Sequence, residues 1–178
     1  KPWVRVGNKQ VLSPDAAPPS LHVLTMVAHM PLFRSEHHSQ VERLYAHVSR
    51  PLPRQESQQV VGKHFVSQPH LVLGDLLANR SVADADVPFA LIWLELMARL
   101  QFLRRNEAWL NLYERFLDDR DRDFVWHPHR GLAMPHSSHP EVWPLFPLEP
   151  NAGGDDRWCD VTFRLGLIAR LLGRPVDL

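Results

Sequence analysis

The sequence predicts an all-α protein of stacked α-hairpin repeats carrying a long Pro/Trp-rich loop. Three observations lead there. Apolar residues recur at helical spacing in several segments, prolines and cap residues punctuate those segments, and two helix pairs align with each other. The 178 residues, 44% of them hydrophobic, suit one globular core. The expected layout is one domain over 1–178: helix pairs near 21–49 and 87–117, a loop over 118–159 and a final helix over 160–173.

Taken in order, Trp3 to Leu12 admits two readings, a small hairpin turning at Gly7-Asn8 or an irregular linker. Pro14, Pro18 and Pro19 hold off regular structure until Ser20, a good N-cap. Val23, Met26, Val27 and Met30 then mark a helix that Pro31 ends or kinks. Ser35 is placed to cap a second helix with a buried stripe at Val41, Leu44, Tyr45 and Val48. Residues 51–68 read as a polar surface loop, and Leu71 to Ala78 as a short helix weakened by Gly74. Asp86 caps the most apolar helix, 87–104, which should be buried nearly all round. Asn106 caps the next, burying Trp109, Leu112, Tyr113 and Phe116. Residues 124–158 carry six prolines among Trp126, Trp143, Phe146 and Trp158, which predicts a long ordered loop. Asp160 opens the last helix, with Leu165, Ile168, Leu171 and Leu172 inside and Gly173 and Pro175 at its end.

The two helix pairs superpose at an offset of about 68 residues, placing Val41 on Trp109, Leu44 on Leu112, Tyr45 on Tyr113 and Val48 on Phe116. Such pairs cannot bury their faces alone and need stacked neighbours. An apolar inner helix, an amphipathic outer helix and the turn Asp121-Arg122-Asp123-Phe124-Val125-Trp126 together resemble one repeat of an α/α toroid. That is the architecture of terpenoid cyclases and protein prenyltransferases. The family's turn has the form Gln-x-x-Asp-Gly-x-Trp; here Phe124 stands for the Gly, and the Gln is missing. The family's acid motif Asp-x-Asp-Asp breaks after Asp84-Ala85-Asp86 at Val87. Its diphosphate motif Asp-Asp-x-x-Asp breaks after Asp118-Asp119 at Arg122. The resemblance therefore implies architecture, a toroid or partial toroid, and no catalysis. Two and a half pairs do not close a ring, and the chain starts Lys-Pro-Trp without an initiator Met. It is expected to be part of a larger chain.

The formal net charge is zero, which gives no lead toward nucleic acid or an anionic membrane. Lysine occurs only at Lys1, Lys9 and Lys63, and the excess of arginine reads as a compositional bias. The apolar run from Phe89 to Leu103 is interrupted by Glu95 and Arg99 and is too short to span a bilayer. One cysteine, Cys159, forms no internal disulfide framework and leans toward a cytoplasmic location.

His127, His129, His136 and His139 form the densest group of potential ligands. Neutral imidazoles suit zinc, and Asp155, Asp156 or Cys159 can complete such a site; the alternative is solvent-facing histidines on a proline-stiffened loop, with no cofactor. Glu95 and Arg99, at i and i+4, either line a ligand cavity or form a structural ion pair. Asp119, Asp121 and Asp123 mimic the start of a calcium loop, but Phe124 and Arg130 stand where that loop needs Gly and Glu. Cys159 is either a small buried residue or a thiolate near a helix N-terminus. No phosphate loop, nucleophile elbow or paired-carboxylate motif is present. The expected role is a non-catalytic or partly catalytic segment that packs on the rest of its parent chain, binds a protein partner or self-associates. The alternative is a lyase, cyclase or glycan-active enzyme of the toroid type, its cavity lined by Trp93, Glu95, Arg99, His127 and His129.

Overall fold

A computed structural model describes residues 3–53, 57–77, 80–127 and 157–176. They fall into two compact units, Lys1–Ala78 and Asn79–Leu178. The fold is mixed, and the expected all-α stack of hairpins or toroid is corrected by a four-stranded sheet in the first unit.

In that unit β1 (Trp3–Val6) and β2 (Lys9–Leu12) form an antiparallel hairpin, with Val6 opposite Lys9. β3 (Gln58–Val61) and β4 (His64–Ser67) form a second hairpin, with Val61 opposite His64. Each turn has two residues and opens on a glycine at positive φ, +61° at Gly7 and +63° at Gly62, the position a type II′ turn gives to glycine. The hairpins join in parallel through Leu12 and Gln59, giving the order β1-β2-β3-β4. The first hairpin is one of the two readings of Trp3–Leu12. The second replaces the expected surface loop over 51–68, because Val60, Val61, Phe65 and Val66 carry strand propensity that a count of Gln and Ser overlooks.

Three helices connect the hairpins: α1 (Leu21–Ala28), α2 (Pro31–Glu36) and α3 (His38–Val48). The Ser20 hydroxyl accepts from Val23 N at 3.2 Å and starts α1. Pro31 opens α2 as well as closing α1, since a helix start leaves its N–H free in any case. Ser35 lies within α2 and donates to the Leu32 carbonyl rather than capping α3. The buried face of α1 is Leu21, Leu24, Val27 and Ala28, whereas Val23, Met26 and Met30 are exposed. Val41 and Val48 of α3 are buried, and Leu44 and Tyr45 only half so.

Residues 71–77 are not the expected short helix but an extended strap. It bridges Ser20 at Leu71 and Pro51 at Asp75. A Cβ on Gly74 would sit 2.6 Å from the Arg50 carbonyl oxygen, so only glycine lets the strap meet the end of α3 this closely.

The second unit is helical in its described residues: α4 (Arg80–Ala85), α5 (Val87–Arg99), a 3₁₀ turn at Leu103–Arg105, α6 (Glu107–Asp118) and α7 (Arg157–Leu171). Asp86 accepts from Phe89 N at 3.0 Å, and every residue from Val87 to Ala98 is buried. α5 ends at Arg99 rather than near 104, because Gln101 takes φ +63° and Phe102 N donates back to the Met97 carbonyl. This is the stop that glycine usually provides. Asn106 caps α6, whose Trp109, Leu112, Tyr113 and Phe116 are all buried. Trp109 meets Trp93 of α5 edge to face, ring centroids 6.2 Å apart. In α7 Leu165, Ile168 and Leu172 are buried and Leu171 half so. The helix starts at Arg157, and Asp160 lies within its first turn.

The proposed superposition of two helix pairs does not describe these units. One set of helices is folded between the strands of a sheet, and the other packs on α7 with no strand among the described residues. The readings as a helical repeat and an α/α toroid fall with it.

Candidate functional site

The first unit holds a cleft of about 710 Å³. One wall is the proline-rich segment 13–19 with Trp3; the other is a face of α3 and its end, with Leu73 between them. Each wall is anchored. The side-chain amide of Gln59 lies 3.0 Å from the Ser13 carbonyl oxygen and 3.2 Å from that of Ala16. Val72 N donates to the Pro19 carbonyl at 2.7 Å, and Asp75 N to that of Arg50 at 2.7 Å. The strap thus holds both walls of the cleft. Asp75, itself buried, accepts from Leu77 N at 2.9 Å and shapes the strap's end.

The α3 wall presents Gln40, Arg43, Leu44, His47 and Arg50. The spacing of Gln40, Arg43, Leu44 and His47 puts them on one side of the helix, and Arg50 follows two residues past its end. Arg43 and Arg50 are exposed to solvent, and neither makes an ion pair among the described residues. His47 Nε2 donates to the Val72 carbonyl at 2.8 Å. A carbonyl can only accept, so the Nε2 proton is fixed and Nδ1 of the neutral ring is the acceptor. Asp15 is the one carboxylate on the lining, and it belongs to the 13–19 wall. Trp3, Ala16, Ala17, Pro18, Pro19, Leu44 and Leu73 supply the apolar surface. The arrangement combines a cationic stripe with an apolar wall, which is chemistry for holding an anion that has an apolar body.

None of these residues stood out in sequence as a site; Pro18, Pro19 and Leu44 were read there only as breakers and core. The usable signal was the basic set Arg43, His47 and Arg50 at i, i+4 and i+7, overlapping the apolar stripe.

The residues singled out in sequence lie in the second unit. Glu95 is buried and accepts from Arg99 Nε at 2.8 Å; its other carboxylate oxygen is held by Arg164 of α7. Trp93 is completely buried against Trp109. The structure therefore brings Glu95 and Arg99 together with Arg164 in a helix-joining ion cluster.

His127 Nε2 lies 2.6 Å from Asp121 Oδ2, and Asp121 Oδ1 accepts from Asp123 N at 2.9 Å and Val125 N at 3.0 Å. The hydrogen bond from His127, followed by those from the backbone, lowers the Asp121 carboxyl below its ordinary value. His129, His136, His139, Asp155 and Asp156 lie outside the described residues, as does most of the loop 118–159. Among the described residues no group of three or more His, Cys, Asp or Glu is placed to hold a metal ion. Cys159 is exposed. Among the described residues no helix is long and apolar enough to cross a membrane.

At Phe124 the backbone takes φ +62°, the left-handed region that glycine favours, and the Arg120 guanidinium lies 5.5 Å from its ring centroid. Comparison of the chain with models of known families, with curated proteins and with solved structures finds no match.

Proposed function

We propose that this chain is a non-catalytic binding protein whose first unit recognises an anionic group of a partner in the cleft between α3 and residues 13–19. The observation that carries this reading is the pair Arg43 and Arg50: two guanidiniums lining one cleft, with no ion pair among the described residues to neutralise them. A guanidinium is always charged and offers a planar fork suited to a carboxylate. The anchored walls favour binding, since a preformed site loses little entropy when it is occupied. The apolar wall adds the burial that an exposed ion pair lacks.

Calorimetric titration of the whole chain with linear dicarboxylates, succinate and suberate, tests it. Suberate should bind in one-to-one ratio and more tightly than succinate. The Arg43→Ala/Arg50→Ala variant, folded by circular dichroism, should lose that binding. Equal binding by the variant, or no heat from either compound with the wild type, would refute the proposal.

A further inference from the structure

We infer that the ligand of the cleft is an acidic segment of another protein in the polyproline II conformation, with carboxylates at positions i and i+3. This rests on the anionic cleft just proposed and adds the geometry of what fills it.

Arg43 lies in α3 and Arg50 two residues past its end, where Ser49 is still αR and Arg50 N donates to the His47 carbonyl at 3.3 Å; continued at the helical rise, seven residues span about 10 Å. A polyproline II chain repeats every three residues and rises about 9 Å over them, so its side chains at i and i+3 share one side at nearly the arginine spacing. An extended β-segment does not fit as well. Its same-side residues are about 7 Å apart at i+2 or about 13 Å at i+4. A helical ligand matches the spacing only at i+7, over two full turns, whereas a polyproline II ligand does so within four residues.

The other wall agrees with this choice. Trp3, Pro18 and Pro19 offer flat, rigid apolar surface, the kind of lining that receives proline rings in polyproline II recognition. Asp15 stands on that same wall and repels carboxylates from it, which sets the acidic side of the ligand toward α3. His47 lies between the two arginines, with its Nε2 tied to Val72.

The test uses the full chain and three terminally blocked, fluorescein-labelled tetrapeptides: Glu-Pro-Pro-Glu, its isomer Glu-Glu-Pro-Pro, and the uncharged Gln-Pro-Pro-Gln. Fluorescence anisotropy should rank the first at least several-fold above both others. Single Arg43→Ala and Arg50→Ala variants should each weaken it about three- to fivefold, the scale of one exposed ion pair. Suberate should compete for the site. Equal binding of the two isomers would overturn the spacing argument while leaving an anionic cleft in place. Suberate binding without peptide binding would do the same. Tighter binding of inorganic polyphosphate or a single-stranded oligonucleotide than of Glu-Pro-Pro-Glu would replace the peptide with a generic polyanion. Loss of both suberate and peptide binding would remove the cleft and the peptide together.

Discussion

At the scale of single residues, the chemistry is decided by what each polar group touches. Tyr113 is fully buried and donates to the Leu165 carbonyl at 3.1 Å. Burial pushes its phenol from 10.0 up to about 12, outweighing the nearby Arg174 charge. The fold favours the neutral phenol, so its stabilisation is complete below the ordinary value and is lost as the pH climbs toward the raised one. The loss should be on the order of 2–3 kcal/mol. Denaturant titrations from about pH 9 to 12 should show a steeper decline for the wild type than for Tyr113→Phe; parallel declines would place the phenol in contact with water. Asp121 works in the opposite sense. Its lowered carboxyl stabilises the turn above the ordinary carboxylate value, and that contribution is lost as the pH falls through the lowered one. The His127 ring resonances should therefore report an Asp121 titration below about pH 3.9, and in Asp121→Asn the acid step should vanish. A midpoint at or above that pH would mean the 2.6 Å contact does not persist in solution.

At the scale of elements, the helices of the second unit were the most legible. Asp86 and Asn106 are side-chain caps visible in sequence, and both stripes they introduce are buried as read. The end of α5 was illegible because Gln101, not glycine, takes the left-handed conformation. The sheet was missed for a different reason. Each strand has four residues, too short for an alternating pattern to stand out, and β2 and β3 meet only after three intervening helices. The face of α1 was misassigned because both of its sides are apolar; Leu21 and Leu24 face the core while Met26 is 56% exposed. For the cleft, the zero net charge of the whole chain concealed a local cationic stripe, and its second wall comes from residues far away in sequence. Two substitutions test these elements. Trp109→Ala should cost about 3–5 kcal/mol in urea unfolding, since Trp109 is fully buried against Trp93; a loss under about 1 kcal/mol would put it at the surface. Gly74→Ala should destabilise the first unit by about 1–3 kcal/mol, because the added Cβ meets backbone at 2.6 Å that cannot turn aside. It should also weaken suberate binding, as the strap holds both cleft walls. Unchanged stability and binding would mean that the strap does not approach Arg50 as described.

At the scale of the whole molecule, the two units differ in how their polar groups are paired. In the second, Glu95 is held by Arg99 and Arg164, and Trp109 packs on Trp93. The first leaves Arg43 of α3 and Arg50 just past its end without ion pairs among the described residues, on a cleft with an apolar wall. The proposed binding thus falls on the unit with fewer buried aromatic side chains among the described residues. The most direct measurement is an NMR chemical-shift map of the full chain titrated with suberate, including the arginine side-chain and tryptophan indole signals. Binding in the cleft should confine the shifts to residues 13–19, α3 through Arg50, Leu73 and the Trp3 indole, with the Arg43 and Arg50 side chains moving most. Shifts centred on the second unit, or scattered over both units without saturation, would contradict it.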